Sequence, residues 1–284
     1  MLYKHVYAIC FCILLINNHC SQRAGIVYKS PEGYNLNTPF LLNLPVELDE
    51  ISGVAFYPKD SSVFAIGDEY GWLYKIPLTS SGKPIRKWKF SADGDYEDLT
   101  MIDTVFYVLK SNGDITSFGF DSHNQVIKSQ QPFPAKGNEF EILYYDPRLY
   151  KLTLICKDCE ADKKKSLTVF YFDPRNQHFD DSSSINVTSI ANMMGENKIK
   201  FKPSAAAIHP VTGELYILSA VNKLLIVADG NGHAKQAYPV DPRLFKQPEG
   251  ITFTPAGDMI ISNEAAERGV ANLLFFKYNK KVKT

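Results

Sequence analysis

The sequence predicts an all-β fold, a β-propeller of four-stranded blades, with five blades as the prediction and six as the alternative. Three observations favour this fold. The chain of 284 residues is 45% hydrophobic and 13% aromatic, which is enough for a large core and suits a sheet-rich protein. A short pattern, in which an acidic or small residue precedes an apolar strand, recurs about every 45 residues, apart from one longer interval of about 63. Each repeat contains several short strands separated by turns, as the blades of a propeller do.

Five repeats can be followed along the chain. They begin with DEISGVAFYP at Asp49, DYEDLTMID at Asp95, EFEILYYDP at Glu139, KPSAAAIHP at Lys202 and QPEGITFTP at Gln247. The first, second and fourth repeats each contain four consecutive strand patterns. The third contains three, followed by a polar insertion and a short helix over IANMMG, which accounts for the longer interval. A sixth blade would need four further strands in this insertion, and the sequence offers at most one.

The fifth repeat contains only three strand patterns: GITFTP, DMIISNE and NLLFFKY. The run PFLLNLP, residues 39–45, has the right length to add the missing outer strand. We therefore expect the N-terminal strand to close the ring, so that no sheet edge stays open.

The N-terminus differs from the rest of the chain. An apolar run from Val6 to Ile16 follows Lys4, and its length is that of the central region of an export signal rather than of a bilayer span. Cys20 before Ser21 offers a lipidation site, as in a lipoprotein. Ordinary cleavage and an uncleaved membrane anchor stay open as alternatives.

This pattern predicts three parts in the chain. Residues 1–20 form a signal or anchor segment, residues 21–37 a short exported linker and residues 38–284 a single propeller domain, since no linker or composition shift divides them. The expected location is the periplasm or the cell envelope, with membrane association through the N-terminus.

The balance of acidic and basic residues argues against partners that depend on a strong electrostatic field around the protein. Lysine and arginine together equal aspartate and glutamate, at 31 each, so nothing favours nucleic acid as a partner. We expect a monomer that binds an unidentified protein or small ligand at a propeller face.

The motif LICKDCE contains Cys156 and Cys159. A C-x-x-C pair can form a local disulfide, remain as two free thiols or act as a redox dithiol. The disulfide suits an oxidising compartment, whereas a redox dithiol would need the first cysteine at a helix N-terminus rather than at the end of a strand pattern.

Propeller topology places one set of polar residues at one mouth of the central channel. The start of the innermost strand and the turn between the second and third strands of a blade lie on the same face. The acidic residue of each repeat should therefore ring this mouth as a metal site: Glu50, Glu97, Glu141 and Glu249, with Ser204 as the uncharged member. The ends of the second strands add further ligand candidates: Asp68, Glu69, Lys110, Lys157, Asp158, Asn263 and Glu264.

Four carboxylates that converge on a narrow channel repel one another unless a positive charge lies between them. Calcium is the natural cofactor here, because it accepts six to eight oxygen ligands. The alternative is structural: the acids cap backbone amides, or channel water and the two lysines satisfy them.

The order of the motifs ISG, DYEDL, EFEIL, KPSAA and QPEGI, with SNE after the last, resembles the SdiA-regulated, or YjiK-like, family of bacterial envelope proteins. The resemblance runs from about Leu42 to the C-terminus. It implies a propeller related to calcium-linked and phytase-like propellers. The chain departs from the family pattern at Phe140-Glu141-Ile142 and Pro203-Ser204-Ala205, where a glycine is absent and the added side chain hinders a close backbone approach to a ligand.

Two functions follow from these observations. The first is an exported, non-catalytic binding or interaction scaffold with an acidic, calcium-binding mouth. The alternative is a metal-dependent, phytase-like phosphoesterase, in which cations would bridge glutamates to a phosphate and Lys110 and Lys157 would neutralise charge. No G-x-S-x-G or H-E-x-x-H motif occurs, and we expect the scattered histidines to be solvated turn residues: His123, His178, His209 and His233.

Overall fold

The computed structural model describes residues 26–78, 83–159, 162, 166–266 and 269–279. These residues form five antiparallel sheets, and the innermost strands of the sheets contact one another in a closed ring. The predicted five-bladed propeller is confirmed. The expected signal segment, with Cys20, lies outside the described residues.

The strand that closes the ring comes first in the chain as β1 (Phe40–Asn43), and a 3-10 turn follows it (Val46–Leu48). The first blade consists of β2 (Ile51–Tyr57), β3 (Ser62–Gly67), β4 (Trp72–Pro77) and β5 (Arg86–Lys89). The second consists of β6 (Tyr96–Ile102), β7 (Val105–Lys110), β8 (Ile115–Phe120) and β9 (Val126–Gln131). The third consists of β10 (Asn138–Asp146), β11 (Lys151–Cys159), β12 (Ser166–Asp173), β13 (His178–Phe179) and β14 (Ser183–Asn186). The single described α-helix, α1 (Thr188–Met193), follows it. The fourth consists of β15 (Ala205–Ile208), β16 (Leu215–Ser219), β17 (Leu224–Ala228) and β18 (Ala234–Pro239). The fifth consists of β19 (Pro248–Phe253), β20 (Met259–Asn263), β21 (Asn272–Phe276) and β1.

The fifth blade is completed by the N-terminal strand, as the sequence predicts. Strand β1 pairs antiparallel with β21, with Leu41 opposite Leu274. The backbone N–H of Leu44 then donates to the carbonyl of Ala271 at 2.8 Å, and the Leu44 side chain is buried in an apolar cluster. Because the first and last described strands pair in one sheet, every blade of the described chain has a fourth strand.

The third blade is irregular where the sequence predicts an insertion. Its outer position is shared by two short strands, since β13 and β14 both pair with β12. Helix α1 follows within the same insertion. In the part of the chain that the structure describes, these elements add no sixth sheet.

The hydrophobic core lies between neighbouring blades. Phe64 of the first blade meets Phe106 of the second with ring centroids 4.7 Å apart, and Phe118 stacks on Phe90 at 4.8 Å. Five such clusters, each joining two adjacent blades, surround the channel. Because each sheet buries both faces against its neighbours, the inner strands are held rigidly.

His209 lies in the core, and the expectation that it is a solvated turn residue is therefore wrong. Its ring is fully buried and packs against Tyr34 and Tyr278, which come from the two ends of the described chain. Its Nδ1 accepts hydrogen bonds from the backbone N–H groups of Val211 and Thr212, both at 3.1 Å. Burial lowers the pKa of His209, so the imidazole is neutral and its proton is on Nε2.

Part of the segment expected as a linker packs on the propeller. Tyr34 and Leu36 are both buried in the cluster between the fourth and fifth blades. Residues 31–36 therefore extend the folded domain. Of the helices in the described ranges, none is long and apolar enough to cross a membrane.

The ring closure predicts that Leu44→Ala lowers the free energy of unfolding by about 2–5 kcal/mol, because it leaves a cavity in a closed core. Leu41→Ala, on the same segment but 43% exposed, is the control and should change stability by about 0.5 kcal/mol or less. Urea denaturation followed by circular dichroism measures both. Equal losses in the two variants would contradict the docking of this segment.

Candidate functional site

Three inner strands contain a β-bulge at the same place, and the extra residue of each bulge is a glutamate. In β6, Tyr96 pairs with Lys110 and Asp98 with Leu109, so Glu97 has no partner across the ladder. Glu141 in β10 and Glu249 in β19 are skipped in the same way. A bulge bends the strand and redirects its side chain, which is why bulges occur beside functional sites.

The first and fourth blades have serines at the equivalent position. The register of β2 shifts between Ile51 and Val54, which makes Ser52 the equivalent residue of the first blade. Ser204 is its counterpart in the fourth blade, where its hydroxyl donates to the carbonyl of Pro248 at 2.6 Å. The predicted equivalence of Glu50 to the other glutamates is therefore wrong by two residues. Glu50 lies outside β2 and is exposed.

A lysine lies among the three glutamates. Lys157 Nζ is 2.7 Å from Glu141 Oε2 and 3.4 Å from Glu139 Oε1. Lys157 is itself skipped by the ladder, because Glu139 pairs with Asp158 and Phe140 pairs with Cys156. Two facing bulges thus bring an ammonium group and a carboxylate together at the channel mouth.

The Cys156–Cys159 disulfide spans the Lys157 bulge. Of the three alternatives that the C-x-x-C motif left open, the structure contains the local disulfide. Both cysteines are buried, whereas Lys157 between them is half-buried and reaches the channel. The crosslink holds the strand on either side of the lysine.

Burial and mutual repulsion alter the acidity of the three glutamates. Burial, followed by the charges of Glu141 and Asp95, raises the pKa of Glu97 to about 8. Burial, followed by the charges of Glu141 and Glu264, raises the pKa of Glu249 to about 8. Burial also raises the pKa of Glu141, although the ion pair with Lys157 opposes this rise. At neutral pH, Glu97 and Glu249 are therefore mostly protonated.

A second acidic group joins the first and fifth blades. Burial and then a hydrogen bond with Glu50 raise the pKa of Glu264 to about 8, and the amide of Gln247 also donates to Glu264. Burial and then the charge of Glu50 raise the pKa of Asp68. Asp68 Oδ1 is buried, and no described group donates to it. Glu50 therefore belongs with Asp68 and Glu264 rather than with the bulge glutamates.

The remaining sequence candidates lie elsewhere. Lys110 packs over the ring of Tyr96, with Nζ 5.1 Å from the centroid. The side chain of Asn263 is buried within its blade and donates to the carbonyl of Leu244 at 3.1 Å. Glu69 and Asp158 are exposed. We find no contact that brings these four side chains to the glutamates among the described residues.

Beside Lys157, a cavity of about 370 Å³ opens between the third, fourth and fifth blades. Two glutamates and four lysines line it: Glu141, Glu249, Lys157, Lys202, Lys223 and Lys246. The last three lysines are not among the site residues that the sequence predicts. A signal existed for Lys202, which stands two residues before the bulge position, where the other repeats have Glu50, Asp95, Glu139 and Gln247. Lys223 and Lys246 lie in connections that the repeat pattern does not mark.

The described residues fit a bound metal only in part. Glu50, Asp68 and Glu264 offer the oxygen ligands that calcium prefers, and the buried Asp68 Oδ1 has no donor. However, in the described ranges no group of three His, Cys, Asp or Glu side chains is arranged to hold a metal ion. At the bulge glutamates, Lys157 already supplies the positive charge.

Solved structures with the same architecture belong to several kinds of protein. The glutaminyl cyclase of Myxococcus xanthus is 12% identical over 85% of this chain and 98% of its own, with a TM-score of 0.56. A luciferin-regenerating enzyme is 10% identical over 84% of this chain and 95% of its own, with a TM-score of 0.51. A calcium-binding protein, regucalcin from Agrobacterium tumefaciens, is 13% identical over 87% of this chain and 95% of its own, with a TM-score of 0.46. At these identities the first two similarities show the fold alone, and nothing is concluded from the third.

Among curated protein sequences, none matches the chain significantly. The model of one protein family, SdiA-regulated, matches residues 41–267, which include strands of all five blades. The chain belongs to the SdiA-regulated family.

Proposed function

We propose that the protein is a ligand-binding propeller whose site is the channel mouth, and that it acts as a binding scaffold rather than as an enzyme. One observation carries the proposal: a bulge places Glu141 in an ion pair with the half-buried Lys157, and equivalent bulges place Glu97 and Glu249 close enough to feel both charges. Burying ionisable groups rarely stabilises a fold, since desolvation offsets their attraction. Groups with strongly perturbed pKa values in a cleft are instead typical of functional sites.

The rigid construction of the mouth also supports binding. The glutamates and Lys157 are carried by strands with packed cores on both sides, so their positions do not depend on mobile loops. A cavity of about 370 Å³ falls within the usual range for small-molecule sites. The signal or anchor segment that the sequence predicts over residues 1–20 supports placing this function in the cell envelope.

A thermal-shift screen tests the proposal. The probes are calcium chloride, spermidine, glycine betaine, sodium succinate and sodium phosphate, each against sodium chloride of equal ionic strength. We expect at least one probe to give a saturable rise in melting temperature. The double variant Glu141→Gln/Lys157→Met should fold but lose this rise, because it removes both charges of the ion pair together.

The matched control for this screen is Glu214→Gln/Lys235→Met, which removes a surface ion pair of the same kind, at 3.0 Å, away from the mouth. It should respond as the wild type does. If no probe shifts the wild type, or if both double variants respond alike, the mouth is not the binding site.

Glu249→Gln should make the protein more stable at pH 8 by about 1–3 kcal/mol and change little at pH 5. The folded pKa of about 8 exceeds the unfolded value of 4.5. Between these values the unfolded chain has released its proton while the folded protein still holds it, so wild-type stability falls as pH rises. Glutamine cannot ionise, so Glu249→Gln removes this pH-dependent loss of stability.

Denaturant titrations at pH 5, 6, 7 and 8 measure this effect. Glu47→Gln is the control, since Glu47 forms an exposed ion pair with Lys87. Parallel stability curves for wild type and Glu249→Gln would show that Glu249 is not a buried acid.

Calcium binding is the second candidate function, and the buried, donor-free Asp68 Oδ1 beside Glu50 and Glu264 is the observation that favours it. Binding would require these side chains to close around the ion. We expect millimolar calcium to raise the melting temperature of the wild type and not that of Asp68→Asn/Glu264→Gln. The surface variant Asp181→Asn is the control.

An unchanged calcium response in Asp68→Asn/Glu264→Gln would exclude this group as the site. The phosphoesterase alternative depends on the same ion, because a metal-bound water would be its nucleophile. Absence of any calcium effect on the wild type would therefore count against both.

A further inference from the structure

Three lysines from separate connections meet at the cavity beside the channel mouth. Lys202 precedes β15, Lys223 lies in the turn between β16 and β17, and Lys246 precedes β19. Two of the three lysines form hydrogen bonds within the site, one through its backbone and one through its side chain. The N–H of Lys202 donates to Asn222 Oδ1 at 3.1 Å, and the Lys223 ammonium group donates to the carbonyl of Lys246. These bonds hold the backbone of Lys202 and the ammonium group of Lys223 at one wall of the cavity.

The positive charge of this cluster is not balanced within the described residues. None of the three lysines forms a salt bridge with a carboxylate there, whereas Lys157 is paired with Glu141. Glu249 is the other acid of the cavity, and its raised pKa keeps it mostly neutral at pH 7. Burial lowers the pKa of Lys223, although the charge of Glu249 opposes this shift when Glu249 is ionised. At neutral pH the cavity therefore has an excess of positive charge.

The other lining groups limit the size and character of a ligand. The cavity of about 370 Å³ is suited to a small molecule rather than a polymer. Ser204 and Gln247 add hydrogen-bonding groups, and the exposed side chain of Val221 gives the rim an apolar edge. The neutral overall charge of the chain gives no long-range field for a polyanion. The lysine cluster is thus a local feature.

We propose that the cavity binds the anionic group of a small ligand, a carboxylate or a phosphate, between Lys202, Lys223 and Lys246. This inference rests on the proposed binding function and names its ligand class. It differs from the acidic, calcium-binding mouth that the sequence predicts, because the bulge glutamates are neutral or paired and the cavity beside them is cationic. Lysine ammonium groups bind either anion as point charges, so the two sources need separate tests.

Isothermal titration at pH 7 with sodium phosphate and with sodium succinate, at constant ionic strength, tests the inference. We expect saturable binding of at least one of the two to the wild type. Lys202→Met/Lys223→Met should weaken that binding tenfold or more. Lys136→Met removes an exposed lysine outside the cavity and should leave the affinity unchanged. The ratio of the two affinities distinguishes a phosphate ligand from a carboxylate.

Circular dichroism and melting without ligand establish that each variant folds. Lys246→Met serves as the second variant if the double variant does not fold, since Lys246 is exposed and its replacement leaves the core intact. It should weaken binding at least threefold.

Three outcomes would overturn the inference. The first is no binding of either anion, and the second is equal binding by the wild type and the lysine variants. The third is binding of spermidine or glycine betaine alone, with loss in Glu141→Gln/Lys157→Met, in which case the proposed function stands and the anion assignment fails. If neither anions nor cations nor betaine bind, both proposals fail.

Discussion

The ion pair between Lys157 and Glu141 is the contact on which the charges of the channel mouth depend. Glu141 is only 9% exposed, and a carboxylate at such a position is expensive to ionise without a partner. The lysine opposes the effect of burial on the pKa of Glu141, and the negative charge of the ionised Glu141 acts on its neighbours. It is the largest charge contribution, after burial, to the raised pKa values of Glu97 and Glu249. Removing one member of a buried pair is generally costly, about 3–5 kcal/mol, because the other charge is left alone.

The repeats place two tiers of residues around the channel, and the tiers differ from blade to blade. The bulge tier has glutamates in the second, third and fifth blades and serines in the other two. The outer tier, two residues earlier, is acidic in the first three blades and changes to Lys202 and Gln247 in the last two. The mouth is consequently divided, with an acidic side near Asp68 and a basic side at the cavity. A ring of related but unequal blades can thus present opposite charges a short distance apart.

Much of the fold could be predicted from the sequence because the repeated motif marks the start of every blade. An apolar strand after the acidic or small residue of each repeat marks the inner strands. PFLLNLP lies just before the first repeat and has the length of the missing outer strand. The channel glutamates of three blades followed from their position in that repeat. Glu50 was assigned incorrectly because it is the acidic residue nearest the start of β2, whereas the register of that strand places Ser52, which is not acidic, at the bulge position.

Other features depend on contacts between distant segments. His209 follows a strand and precedes Pro210, as a turn residue would, but Tyr34 and Tyr278 from the chain ends cover it. Lys223 and Lys246 are unremarkable in sequence and form a cluster only because neighbouring blades bring their connections together. The charge of a carboxyl group also depends on tertiary contacts. In the sequence, four converging glutamates indicate a bound cation, whereas in the structure burial raises the pKa of Glu97 and Lys157 supplies a positive charge.

The Cys156–Cys159 crosslink encloses a loop whose first residue is Lys157. A bond that forms only under oxidising conditions therefore constrains the strand that carries Lys157, the lysine paired with Glu141. Reduction would remove this covalent constraint from the bulge that presents the ammonium group. The position of that group, and hence its effect on Glu141, would then depend on strand pairing alone.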